Sequence, residues 1–236
     1  MNRSQCTAAR PGLVLAAAIL PALAFADTTR PASFANEDPE RRFERLLEWP
    51  ELKGDASVML YCYAIVEASG KMDGNGCFTK DNFDTPFAIA VNRAAKKARL
   101  SPAVINGRAT SVYLQYRVEF IAEGEQRNVH LYLNPGYGEN VAEYGYEHIA
   151  GQRATRGEDE PWMKICPQRA KYAVWARAYL SEAGRADPPN IEHAEGVMPT
   201  PACLDAIGAT IAESAYTPAY ADGEPVPSTF IELFGN

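Results

Sequence analysis

The chain has 236 residues, and its 23 Lys and Arg residues against 30 Asp and Glu residues give it a net charge of −7. A nucleic acid or an anionic lipid surface attracts a basic face, so this acidic balance argues against both as partners. The length is sufficient for one large domain or two small ones.

The first 26 residues have the pattern of a secretory signal peptide. A basic start precedes an apolar run over residues 12–26, which ends in Ala24-Phe25-Ala26. The run is shorter than the ~20 residues that a membrane-spanning helix needs, and its small final residues suit a signal peptidase. We therefore expect residues 1–26 to be removed and the protein to be periplasmic. An uncleaved anchor is the alternative.

Two later segments, 57–120 and 171–234, carry the same landmarks in the same order. Each has a strand-like run, a turn, a second run, a Thr-Pro pair that opens a helical stretch, a Pro-Ala pair and a closing strand-like run. The landmarks are Gly70, Thr85-Pro86, Pro102-Ala103 and Asn106-Gly107 in the first segment, and Gly184, Thr200-Pro201, Pro218-Ala219 and Asp222-Gly223 in the second. We interpret the segments as tandem copies of one module.

Each landmark has a physical reason. A threonine side chain can cap a helix, and proline is tolerated at the first helical position, where no N–H is needed. Apolar residues then recur at helical spacing: Phe87, Val91, Ala94 and Ala98 in the first copy, and Leu204, Ile207 and Ile211 in the second. The Asn-Gly and Asp-Gly pairs favour turns with positive φ.

The strand-like runs alternate between two kinds of side chain. In the closing run of the first copy, one face carries Val112, Leu114, Tyr116, Val118 and Phe120, and the other carries Tyr113, Gln115, Arg117 and Glu119. The opening runs place small apolar residues on one face and large aromatic residues on the other, namely Tyr61, Tyr63, Trp175 and Tyr179. A helix should cover the small apolar face, and the aromatic residues should lie on the open face of the sheet.

These pieces predict an α+β protein of two tandem β-β-α-β modules. In each module a hairpin, a right-handed helical crossover and a returning strand give a three-stranded antiparallel sheet of order 2-1-3, with the third strand at an edge. We expect the first module, with an N-terminal extension, over residues 27–125 and the second over 161–236. A tyrosine-rich linker over 126–160 separates them, and its polar residues 151–160 should form a flexible join.

The cysteines favour disulfides. Four remain after removal of the signal peptide, and an even number in an oxidising compartment is typical of disulfide bonding. Cys62 and Cys77 lie equally far from the predicted turn, which places them opposite each other, and Cys166 is left to pair with Cys203. With no Cys-x-x-Cys pair and only three histidines, we expect no metal site.

The order of strand, Ala68-Ser-Gly-Lys71, strand, Thr-Pro helix, Pro-Ala-x-x-Asn-Gly and alternating strand resembles the TonB C-terminal domain family, and the second copy resembles it as well. The resemblance implies β-augmentation, in which an edge strand binds a short extended segment (the TonB box) of an outer-membrane receptor. It points to residues 110–120 and 226–234 as docking strands, although Pro225 and Pro227 remove backbone donors beside the second.

We therefore expect a non-enzymatic periplasmic protein, without cofactor, that binds an envelope protein or a TonB-box-like peptide and is linked to TonB-dependent transport. No G-x-S-x-G or H-E-x-x-H motif is present. The candidate binding residues are Tyr113, Gln115, Arg117 and Glu119 on the edge strand, and Tyr61, Tyr63, Trp175 and Tyr179 on the open faces. The alternatives are a structural envelope-maintenance protein with self-paired modules and an unrecognised cell-wall hydrolase. Pairing of two copies of the chain also stays open.

Overall fold

The computed structural model describes residues 29–51, 54–79, 85–167 and 169–235, so the predicted signal peptide lies outside the described residues. The fold is α+β. Its helices are α1 (Phe43–Leu46), α2 (Pro86–Lys97), α3 (Gly138–Tyr144), α4 (Pro161–Ile165) and α5 (Pro201–Glu213), with short 3-10 helices at Pro39–Arg41 and Gly157–Asp159. Within the described ranges no helix is both long and apolar enough to cross a membrane.

The strands form two main sheets and two small hairpins. They are β1 (Ala56–Val66), β2 (Met72–Phe78), β3 (Ala103–Ile105), β4 (Arg108–Thr110), β5 (Val112–Glu123), β6 (Gln126–Tyr132), β7 (Gln152–Ala154), β8 (Tyr172–Leu180), β9 (Asn190–Gly196), β10 (Tyr216–Thr217), β11 (Ala219–Ala221), β12 (Glu224–Val226) and β13 (Ser228–Gly235). A first unit is built on the antiparallel order β2-β1-β5, and a second unit on β9-β8-β13.

The Thr-Pro pairs start the two long helices as predicted. The Thr85 hydroxyl oxygen accepts the N–H of Ala88 at 3.1 Å, and Thr200 accepts the N–H of Cys203 at 3.3 Å. Proline occupies the first helical position of both α2 and α5. Each helix buries its apolar side against the small aliphatic face of its sheet, so each unit has a core of its own.

The N-terminal segment completes the core of the first unit. The rings of Phe34 and Phe43 lie 5.4 Å and 6.0 Å from the ring of Tyr116, which is fully buried. Trp49 contacts Phe120 with a ring separation of 5.2 Å. Residues 29–51 therefore belong to the first unit, since their aromatic side chains cover the end of its sheet.

Both predicted disulfides are present, Cys62–Cys77 and Cys166–Cys203. Cys62 and Cys77 stand opposite each other for a reason that differs from the prediction, which assumed a hairpin without a bulge. The hairpin closes with Glu67 bonded to Lys71, and a β-bulge between Tyr63 and Ile65 then shifts the register. Without the bulge Gly76, not Cys77, would stand opposite Cys62. The two disulfides indicate an oxidising, extracytoplasmic environment.

The Asn-Gly and Asp-Gly pairs adopt the predicted positive φ angles, 52° and 74° at Asn106-Gly107 and 52° and 86° at Asp222-Gly223. They close two small hairpins, β3-β4 and β11-β12. Two consecutive residues with positive φ match the twist of the flanking strands, which is why both turns use glycine second.

Two parts of the segment predicted as a linker, β6 and β7, belong to the first sheet. β6 pairs with β5 along residues 117–123, and β7 pairs with β5 on one side and with β10 of the second unit on the other. Residues 151–160 therefore do not form the flexible join that their polarity suggested. Gln152 is buried and exchanges two hydrogen bonds with the backbone of Ala32, at 2.7 Å and 2.9 Å, so its polar side chain is satisfied inside the fold.

Candidate binding surfaces

The open face of the first sheet carries exposed aromatic side chains, as predicted. Tyr61 and Tyr63 are 37% and 41% exposed. The Tyr63 ring stacks on Tyr113 with centroids 6.3 Å apart, and the Tyr61 ring stacks on Phe78 at 6.0 Å. These rings are therefore already supported by neighbours on the same face, and Tyr113 is half-buried.

Arg117 is not available to a partner. Its side chain is only 4% exposed, and its guanidinium lies over the rings of Tyr132 at 4.6 Å and Tyr146 at 5.3 Å. It also donates to the backbone oxygen of Asn134 at 3.2 Å and to the side-chain oxygen of Asn134 at 2.8 Å. Burial lowers the pKa of Arg117, and the neighbouring tyrosines oppose that shift. The predicted binding arginine thus holds the segment after β6 onto the sheet.

The remaining polar candidates on β5 also bond within the chain. Gln115 donates to the hydroxyl of Tyr137 at 3.2 Å, and Glu119 accepts hydrogen bonds from Tyr132 and Ser57, both at 2.9 Å. The expected row of docking side chains is therefore an internal contact surface. Its partners come from β1 and from the tyrosine-rich segment that follows in sequence.

β5 is not an edge strand, which corrects the prediction for residues 110–120. β6 lies beside residues 117–123, and β7 lies beside Val112 and Tyr113. Both are held by backbone hydrogen bonds, the interaction that an added peptide would use. A partner strand could reach this flank of β5 only by displacing β6 or β7.

The corresponding strand of the second unit, β13, is covered by side chains of α3. The Asn140 amide donates to the backbone oxygen of Thr229 at 2.8 Å and accepts the N–H of Thr229 at 3.0 Å, as a neighbouring strand would. The Tyr144 hydroxyl donates to the backbone oxygen of Pro227 at 2.8 Å. The predicted docking strand over 226–234 is therefore already occupied at Pro227 and Thr229.

A buried ionic cluster connects β13 to β7. Arg153 is bidentate to Glu232, at 2.7 Å and 2.9 Å, and its third nitrogen contacts Glu160 at 2.9 Å. All three residues are at most 5% exposed. One guanidinium thus serves two carboxylates, and it joins the segment between the units to the core of the second unit.

The two carboxyl groups of this cluster differ in pKa. Burial raises the pKa of Glu232, and Arg153 opposes this shift only in part. For Glu160, burial acts in the same direction, but hydrogen bonds from Thr155 and Arg153 outweigh it and lower the pKa. Two carboxylates that share one cation commonly divide in this way, since their negative charges repel each other.

The open face of the second sheet carries exposed apolar side chains beside the outer strand β9. Trp175 and Tyr179 are 38% and 51% exposed, as predicted, and Leu233 is 44% exposed opposite Trp175 on β13. A cavity of about 220 Å³ opens on this face, which we call the Trp175 cavity. Its lining residues are Tyr137, Trp175, Arg177, Asn190, Glu192 and Ile231.

β9 is the outer strand beside this cavity. In the described part of the chain it pairs with β8 alone, and only Ile191 of its seven residues is partly buried. The other outer strands of the main sheets differ from it. β2 buries Met72 and Cys77, and β6 has three half-buried residues. β9 is thus the outer strand with the most exposed residues, and it borders the Trp175 cavity.

A second hollow and the acidic side chains of the surface are weaker candidates for a ligand-binding site. A wider hollow of about 740 Å³ lies beside the N-terminal segment, where Arg42 and Arg45 alternate with Glu37 and Glu44. Its charges are mixed, so it favours neither a cation nor an anion. Across the described ranges, no three His, Cys, Asp or Glu side chains are grouped closely enough to hold a metal ion.

Sequence reasoning missed the residues that decide which surface is free. No sequence motif includes Asn140, Tyr137 or Glu192. The sequence of β9 is mostly polar and shows no clear alternation of apolar and polar residues. Proline content gave no signal, because neither β9 nor β13 contains proline and each is preceded by two, Pro188 and Pro189 before β9 and Pro225 and Pro227 before β13.

Comparison with protein-family models, curated proteins and solved structures finds no match to this chain. The resemblance to TonB C-terminal domains therefore stays a prediction, as does the division of the chain into two copies of one module.

Proposed function

We propose that this chain is a non-enzymatic periplasmic protein that binds an extended segment of an envelope protein along the outer edge of β9. The proposal keeps the mode of binding that the resemblance to TonB C-terminal domains implies, including a link to TonB-dependent transport. It transfers that binding from the third strand of a module to the second strand of the second unit. The observation that carries it is the exposed, proline-free and one-sided β9.

The physical basis is the unsatisfied hydrogen bonding of an outer strand. Every second residue of such a strand points its N–H and C=O outward, so an extended peptide can add to the sheet through main-chain bonds. β9 offers seven residues without proline, so no backbone donor is missing. β5 and β13 offer shorter free flanks, since β6 and β7 already pair with residues 117–123 and 112–113 of β5, and α3 already bonds to Pro227 and Thr229 at β13.

The periplasmic location combines two observations. The disulfides Cys62–Cys77 and Cys166–Cys203 favour an oxidising compartment. The N-terminal pattern ending in Ala24-Phe25-Ala26 favours export through a cleaved signal peptide. N-terminal sequencing of the exported protein should therefore begin at Asp27.

Peptide selection followed by hydrogen exchange tests the binding site. The full chain is immobilised, a random peptide library is selected on it, and amide exchange is then compared with and without the selected peptides. We expect slower exchange in residues 190–196 and unchanged exchange in β6, which serves as the internal control. A peptide methylated on its backbone nitrogens should lose affinity, because it lacks donors for the β9 carbonyls.

Two outcomes would contradict the proposal. Either no peptide is selected, or the selected peptides protect amides elsewhere and leave β9 unchanged. The first outcome would favour a second candidate function, a structural protein of the envelope whose units bind no extended segment. One observation favours that candidate, namely that residues 126–160 of the chain itself cover the flanks of β5 and β13.

A further inference from the structure

The Trp175 cavity lies where side chains of a strand added to β9 would reach. Glu192 and Asn190 of β9 line it, and they are the cross-strand partners of Trp175 and Arg177 on β8. Side chains of adjacent strands that point to the same face lie side by side, so a peptide residue next to Glu192 would project toward the cavity. Its volume of about 220 Å³ is below the roughly 300–1,000 Å³ of small-molecule sites and suits a single side chain.

The charges around the cavity favour a cation. Arg177 is already paired with Glu139 at 2.5 Å. Glu192 accepts a hydrogen bond from Asn190 at 2.6 Å, and among the residues that the structure describes no Lys or Arg lies within ion-pair distance of it. Arg177, Glu139 and Glu192 together carry one positive and two negative charges, so one negative charge is left uncompensated. The lining of the cavity also contains the aromatic rings of Trp175 and Tyr137.

The backbone of β9 lies in the same acidic surroundings. Residues 186–196 contain Asp187, Glu192 and Glu195 and no Lys or Arg. The nearest cations in sequence, Arg185 and Arg177, lie outside this strand, and Arg177 is the one paired with Glu139. Two β9 strands paired across a two-fold axis would bring carboxylates of like charge together, which is unfavourable. An acidic segment would meet the same repulsion.

We infer that the segment bound at β9 is basic, and that one of its Lys or Arg side chains occupies the Trp175 cavity. This inference rests on the proposed function and specifies its partner. The cation lies against the faces of Trp175 and Tyr137, which attract positive charge, and its N–H groups donate to Glu192. The carboxylate supplies the selection for charge, and the main-chain bonds to β9 supply binding that is independent of side chains.

Matched peptides and matched variants test the inference. Three capped versions of one selected peptide carry Lys, Gln or Glu at the position that faces the cavity, and their affinities for the full chain are measured by calorimetry. We expect the Lys peptide to bind about 10-fold more tightly than the Gln peptide and the Glu peptide to bind most weakly. Added salt should reduce the difference, because exposed charges are screened.

The variants address the cavity from the protein side. Glu192→Gln and Trp175→Leu should each weaken the Lys peptide by about 3- to 10-fold, while binding of the Gln peptide changes little under Glu192→Gln. Glu224→Gln and Ile89→Ala are the controls, since Glu224 is an exposed carboxylate on β12 and Ile89 is an exposed apolar side chain on α2 of the first unit. They should leave affinity unchanged.

The outcomes separate the inference from the proposed function. If all three peptides protect β9 with equal affinity, or if the Glu peptide binds best, the basic partner is excluded and binding at β9 stands. If no peptide protects β9 at all, the proposed function fails and the inference fails with it.

Discussion

β5 and β13 hold the same position in their units, yet their outer flanks are covered in different ways. β5 is flanked by the backbones of β6 and β7, whereas β13 meets the side chains of Asn140 and Tyr144 from α3. A backbone ladder satisfies many donors and acceptors at once, while single side chains satisfy a few. The cover of β13 should therefore be the easier one to remove.

Both covers come from one stretch of chain, residues 126–160. This stretch joins the first sheet through β6 and β7 and reaches the second unit through α3 and Arg153. Whether the outer edge of a strand is free to bind a partner therefore cannot be decided from the residues of that strand alone. Its availability depends on whether another segment already uses its outward hydrogen bonds.

The largest effect should come from breaking the ionic cluster that connects β7 to β13. Arg153→Met leaves Glu160 and Glu232 buried without their cation, and such a change costs on the order of 3–5 kcal/mol. Urea unfolding measures the loss in the free energy of unfolding. Arg156→Met is the control, because Arg156 is exposed and three residues away. Equal destabilisation by both variants would show that the cluster does not connect the units.

A smaller effect should follow removal of the side-chain cover of β13. Asn140→Ala deletes both hydrogen bonds to Thr229, and since this backbone pair is only partly buried, we expect a cost of about 0.5–1.5 kcal/mol. Amide exchange at Thr229 should accelerate while exchange in β5 stays slow. The matched control is Asn128→Ala, since Asn128 is exposed on β6. If the Thr229 amide still exchanges slowly in the Asn140 variant, the side chains of α3 are not what protects this edge of β13.

The smallest effect is a pH dependence, tested with Glu232→Gln. Burial raises the pKa of Glu232 above its ordinary value of 4.5. The folded protein therefore holds a proton that the unfolded chain releases, and stability from this group is lost as pH rises from about 4.5 through the raised pKa. Relative to the variant, the natural chain should become less stable as pH rises through that window. Urea unfolding at a series of pH values measures the difference, and a constant difference would contradict the raised pKa.

Much of the local structure could be predicted because its causes lie within a few residues. Thr85 and Thr200 cap helices that begin where proline was expected. The alternation in β5 placed Leu114, Tyr116 and Val118 in the core, where each is fully buried. The same alternation of side chains between the two faces of a strand also predicted that the aromatic residues of the open faces would be exposed.

The candidate site could not be predicted to the same extent, because the contacts that cover the strands link distant parts of the chain. Arg153 bonds to Glu232, 79 residues away, and Gln152 bonds to Ala32, 120 residues away. Polar residues with such partners have the same local pattern as a solvated loop. The pairing of Cys62 with Cys77 was predicted correctly, but its register depends on a bulge that no local signal indicates.

Composition, periodicity and capping thus account for the α+β class, the helix starts, the two disulfides and the faces of the strands, since each depends on short-range sterics or on the side-chain period of two. Only the folded chain decided that β5 and β13 are partly covered while β9, among the described residues, pairs with β8 alone. Backbone hydrogen-bonding groups are the same in every strand, so the identity of their partners depends on which distant segment the tertiary packing brings beside them.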